Sequence, residues 1–139
     1  MKKLLFFLLL APLLLASDIK TEQKIYTLII HSLLPQKKEI KVWCDDKAKK
    51  ELIDSIPKVR YILNPENADF LLLSKNQKIQ TKGVKFVTNL KLLEAGKDSV
   101  VGGFFWQKGR PNILFLKKNL QKHHIKLPKS MQEYIEEDI

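Results

Sequence analysis

The run Phe70-Leu71-Leu72-Leu73 narrows the choice of fold more than any other stretch of this chain. Successive residues on a strand point to opposite faces, so four apolar residues in a row need cover on both sides. A sheet with one wet face cannot hold them. The flanking segments supply candidates for the cover. Asp18 to Leu34 carries Ile25, Leu28, Ile29 and Leu33 at helical spacing and is closed by Pro35. Glu39 to Asp45 alternates, with Ile40, Val42 and Cys44 on one face and Lys41 and Trp43 on the other. Asp45 and Asp46 are placed to cap a following helix with the stripe Ala48, Leu52, Ile53 and Ile56, ended by Pro57.

Val59 to Leu63 reads as a second strand and Asn64 to Asn67 as a turn. After the apolar strand, Lys75 to Gly83 is a polar surface loop. Val84 to Thr88 is a fourth strand, and Leu90 to Ala95 a short helix stopped by Gly96. Strands alternating with helices imply an α/β fold: a single three-layer domain with a mostly parallel central sheet and flanking helices. Its 139 residues suit one domain.

The last third adds a C-terminal β-hairpin. Ser99 to Trp106 and Asn112 to Leu116 are strand-like, joined by the looped turn Gln107 to Pro111. Gly102-Gly103 marks a bulge or another backbone passing close. Lys117 to His124 is short and helical. Lys129 to Glu137 reads as a final helix burying Met131, Tyr134 and Ile135.

Residues 1–17 have a different character. Met1-Lys2-Lys3 precedes the apolar run Leu4 to Leu15, broken only by Pro12, and then Ala16-Ser17. A positive start, a short apolar core and small residues at the end describe a cleavable signal peptide, cut after Ala16 or Ser17. The run is short of the roughly 20 residues of a spanning helix, and an uncleaved anchor is the alternative. The expectation is a periplasmic domain comprising residues 18–139. No lipoprotein cysteine follows the run.

A formal charge of +10 raises the question of nucleic acid. Export argues against it, and so does composition: Arg60 and Arg110 are the only arginines among 25 basic residues. A solvated lysine surface, weakly attracted to anionic lipid or an acidic partner, fits better. Cys44 stands alone, which excludes an internal disulfide, and its place beside Ile40 and Val42 suits a buried thiol over a nucleophile. His123-His124 is the one histidine pair, and neighbours on a helix diverge by about 100°. No metal site, catalytic residue or cofactor is assigned, and the chain is read as a non-enzyme.

The segment Gly102 to Asn112 remains. Phe104, Phe105 and Trp106 cannot share a face, so either helices cover both sides or an aromatic face lies open beside Lys108 and Arg110. Trp and Arg dominate many binding interfaces. Phe105, Trp106, Lys108 and Arg110 are therefore the candidate contacts for a protein partner.

The order of elements resembles the YfiR-like family of small periplasmic proteins. The resemblance rests on the helix Ile25 to Pro35, the strand and helix Ile40 to Asp45 and Lys47 to Ile56, and the strands at Ala68 to Leu73 and Val84 to Thr88. It extends to Gly102-Gly103-Phe104-Phe105, the strand Asn112 to Leu116, and the closing stretches Asn119 to Ile125 and Leu127 to Ile135. This likeness implies a non-enzymatic regulator that binds the periplasmic sensor part of a membrane diguanylate cyclase and restrains cyclic di-GMP synthesis. The chain departs from the family in lacking paired cysteines, in a loop too short for a helix at Lys75 to Gly83, and in Leu34 where an aromatic often stands. An alternative reading is a solute-binding protein resembling one lobe of a transporter-associated receptor. A homodimer is compatible with either.

Overall fold

The computed structural model describes residues 19–139. The signal peptide expected over residues 1–17 lies outside the described residues. Helix α1 occupies residues 19–33, followed by β1 (Ile40–Cys44), α2 (Lys47–Asp54), β2 (Val59–Tyr61), β3 (Phe70–Leu73), β4 (Val84–Val87) and α3 (Leu90–Ala95). Then come β5 (Gly102–Gln107), β6 (Arg110–Leu116), α4 (Lys117–Lys122) and β7 (Ile135–Glu136). One seven-stranded sheet runs β2-β1-β3-β4-β5-β6-β7. Every neighbouring pair is parallel except the antiparallel β5–β6 hairpin. The protein is thus a single α/β domain with a mostly parallel sheet, as expected.

All four residues of β3 are buried, and they divide between two cores. Phe70 and Leu72 face a layer built by α1, α2 and α4, with Tyr26, Ile29, Ile30, Leu33, Ile53 and Leu120 packed over β1, β4 and β6. Leu71 and Leu73 face a smaller layer in which Leu93 of α3 sits with Val87, Val100 and Leu116. The buried stripe of α1 is Tyr26, Ile29, Ile30 and Leu33, at the i, i+3, i+4, i+7 spacing of one helical face. Leu28, expected inside, is 57% exposed because it lies roughly 200° around the helix from Tyr26. Ala48 of α2 is likewise exposed, and Ile53 and Ile56 carry the burial there.

Three expectations need correction. Asp46 alone caps α2, its side chain accepting from the Ala48 N–H, whereas Asp45 turns to the neighbouring strand end. The segment Lys129 to Glu137 is no α-helix: Lys129–Tyr134 forms 3-10 turns, and Ile135 and Glu136 pair in parallel with Phe115 and Leu116. The hairpin turn is tighter than expected. Gln107 pairs with Arg110, leaving only Lys108 and Gly109, at φ 54° and 75°, in the turn. Positive φ at both central residues is the type I′ geometry that matches strand twist. Of the three residues expected to be buried here, Met131 is, whereas Tyr134 and Ile135 are half-buried at the rim of the larger core.

Candidate functional site

The β5–β6 hairpin outruns its neighbours. β4 pairs with β5 only at Gly102 and Gly103, and β7 meets β6 only at Phe115 and Leu116. Phe104–Gln107 and Arg110–Leu114 therefore continue as a two-stranded ribbon with both edges open. Pro111 fits here because its partner Trp106 is one step from the hydrogen-bonded Gln107–Arg110 pair. Position 111 thus directs its missing N–H away from β5, to the free edge.

Alternation and register sort the candidate residues onto two faces. Trp106, Phe104, Pro111 and Ile113 share one; Phe105, Gln107, Arg110 and Asn112 share the other. Phe104 is buried, meeting Tyr26 of α1 edge-on at 5.2 Å between ring centroids. Trp106 stacks edge-on against Phe104 at 5.9 Å and is 37% exposed. Its indole Nε1 donates to Glu22 Oε1 over 2.8 Å, while Glu22 Oε2 takes Lys49 Nζ at 3.1 Å. One carboxylate thus ties the ribbon to α1 and α2. Phe105 is half-buried against the smaller core. Lys108 and Arg110 are exposed at and beside the tip, and neither has an acidic partner among the described residues. The four candidate residues are gathered on one projection, but Phe105 and Trp106 do not form one surface. Glu22 was not foreseen: it lies 84 residues from Trp106, and nothing local announces the pairing.

The carboxyl ends of β1 and β3 are where open α/β sheets often bind ligands. Here the polar groups at that point are engaged by the chain itself. Asp45 Oδ1 accepts from the Ser74 N–H at 2.7 Å, and Oδ2 from the Lys75 N–H and from Gln77 Nε2. Thr88 Oγ1 bonds Ser74 Oγ at 3.0 Å. Cys44 is buried, and burial, the largest cause, pushes its thiol up to about 11, outweighing the lowering effect of the Asp46 backbone. At neutral pH it is a thiol, not a thiolate nucleophile. His31 Nε2 lies 3.0 Å from the Pro57 carbonyl. His123 is half-buried, and burial, with His124 and Lys122 nearby, holds its imidazole below the ordinary value. No group of three histidine, cysteine or acidic side chains among the described residues is placed to hold a metal ion.

No family model, no curated protein and no solved structure matches the chain.

Cys44 and Tyr26 set an alkaline limit to stability. Burial raises both, Tyr26 well above the ordinary tyrosine range, with Glu22 adding to the effect. A raised acid pKa stabilises the fold fully below the unfolded value, and that contribution is lost as pH rises through the folded value. Below about pH 7.5 both groups are neutral in either state; above it the unfolded chain ionises first, the thiol from about pH 8.5 and the phenol from about pH 10. The unfolding midpoint is expected to be flat up to about pH 7.5 and to fall from there to about pH 11 as first the unfolded thiol and then the unfolded phenol ionises. Tyr26→Phe should reduce that fall, as read by thermal denaturation followed by circular dichroism. An equal slope in the variant would assign the alkaline loss elsewhere.

Proposed function

We propose that this protein is an exported, non-enzymatic regulator that works in the periplasm by docking on the periplasmic part of a membrane signalling protein. The sensor domain of a diguanylate cyclase is the favoured partner. The observation that carries this reading is the ribbon: a projection with open edges, a half-exposed tryptophan and two cations without acidic partners among the described residues. A side chain such as Trp106 offers large, stiff contact area, and Arg110 can grip a carboxylate with two parallel bonds. The likeness of element order to YfiR-like regulators supports the choice of partner. Such a regulator acts by binding one conformer of its partner more tightly than another, and it shifts the partner's balance only by that difference.

The test is capture from intact envelopes by crosslinking, comparing the wild-type protein with the Trp106→Ala, Arg110→Ala double variant. Removing two central contacts is expected to cut recovery of a specific membrane partner by roughly thirtyfold or more. Circular dichroism should stay native, since both residues sit on the overhang. Undiminished recovery from a folded variant would remove the ribbon from the proposal.

A further inference from the structure

The smaller core has an opening that the proposed docking does not use. β3 and β4 are parallel, yet residues 74–83 join them without a helix. Parallel neighbours usually receive a helix in the crossover, and that helix covers the sheet. Here only Ile79 from the connection packs on this face, opposite α3. Between the connection and α3 lies a cleft of about 150 Å³, floored by Leu73 and Val87 and walled by Leu92.

Three cations line it: Lys75 and Lys78 from the connection, and Lys85 from the floor. Lys85 is the unusual one. It belongs to β4, the middle strand of the sheet, opposite the buried Leu71, and it is half-buried. A lysine in such a place normally meets a carboxylate, because a partly desolvated ammonium is costly alone. Among the described residues Lys85 has no ion pair, nor do Lys75 and Lys78, and no acidic side chain lines the cleft. The carboxylate bonded to this loop, Asp45, is turned to backbone N–H groups and Gln77.

We propose that this cleft binds a phosphomonoester or inorganic phosphate, with Lys85 as its central contact. Three ammonium groups without a guanidinium fork are point charges. They suit a compact, doubly charged tetrahedral anion better than a planar carboxylate. The volume sets the other limit: ligand sites for drug-sized molecules start near 300 Å³, so a nucleotide does not fit. The anion comes either free in solution or as the headgroup of a lipid such as phosphatidate.

The site is tested by thermal unfolding of the purified protein against inorganic phosphate, with sodium chloride holding ionic strength constant. A ligand of the folded state alone raises the midpoint saturably. Lys85→Met keeps the length and the apolar stem and is expected to weaken phosphate binding roughly tenfold or more. Lys129→Met, away from the cleft, should leave it unchanged. Lys78→Gln on the exposed loop gives a second reading of the same loss should Lys85→Met fold poorly. Flotation with phosphatidate vesicles, against phosphatidylglycerol vesicles that carry only a phosphodiester, separates the two sources. Lys85-dependent binding to phosphatidate alone identifies the lipid; a Lys85-dependent midpoint shift with phosphate identifies the free anion. No binding in either arm, or binding that is equal in wild type, Lys85→Met and Lys78→Gln, overturns the proposal. None of these outcomes bears on the ribbon.

Discussion

Phe86→Ala is expected to cost about 3–5 kcal/mol and to lower the unfolding midpoint by about 10–20 °C in a domain of this size. The reason lies in one row of the sheet. Cys44, Leu72, Phe86, Gly102, Phe115 and Ile135 are successive partners across six strands, and the five that carry side chains pack in or against the larger core. Phe86 is fully buried in the middle of that row. Its ring lies 5.8 Å from Phe70 on one side and 6.0 Å from Phe115 on the other. Truncation removes both ring contacts and leaves a void that no neighbour fills without leaving its rotamer. Phe86→Leu should recover most of the loss, since it restores bulk without the ring pairs. Urea unfolding of the three proteins reads the difference; an alanine variant within 1 kcal/mol of wild type would show that the rings are not the keystone of this layer.

Much of this architecture was readable because it depends on local chemistry. Phe70 to Leu73 demanded two covering layers, and the residues with strand or helix periodicity around it supplied them. Asp46 before Lys47-Ala48 is a cap whose partner lies two residues away. What escaped the sequence depends on partners far along the chain. Lys129 to Glu137 has helical spacing, yet its start lacks a side-chain cap, and pairing with Phe115 and Leu116 draws Ile135 and Glu136 into an extended conformation. Strand pairing outweighs propensity in so short a segment. Lys108-Gly109 was hidden because type I′ turns favour Asn or Asp at the first position, and a lysine at φ 54° does not announce itself. The candidate contacts were found as a segment, since three consecutive aromatics are visible at once. Their division between faces needed the register, and the Glu22 clasp on Trp106 needed the fold.

Gly102→Ala should be as damaging as losing a phenyl ring, although it adds a single methyl group. Gly102 and Phe115 face each other across β5 and β6 at a position without mutual hydrogen bonds, where antiparallel backbones come closest, roughly 4.5 Å between Cα atoms. A Cβ on Gly102 would overlap the Leu114 carbonyl oxygen and stand 3.1 Å from the Phe115 Cα. Both are backbone atoms held in a ladder whose next rung is the Leu116 N–H bond to the Val101 carbonyl at 2.8 Å. The methyl group can be admitted only by parting the strands, at a cost of at least about 3 kcal/mol. Gly109→Ala makes the contrast: nothing lies within 4 Å of its Cβ, and the cost is confined to holding alanine at φ 75°, about 1 kcal/mol. The absent side chain at 102 also lets the Phe86 and Phe115 rings meet over β5. The two roles separate in the Phe86→Ala, Gly102→Ala double variant. If the ring slot were what glycine protects, vacating it would relieve the alanine, and the pair would cost much less than the sum. A backbone clash gains no relief, so the losses are expected to add within about 0.5 kcal/mol in a double-mutant cycle. Strong rescue would place the constraint in the side-chain layer instead of the ladder.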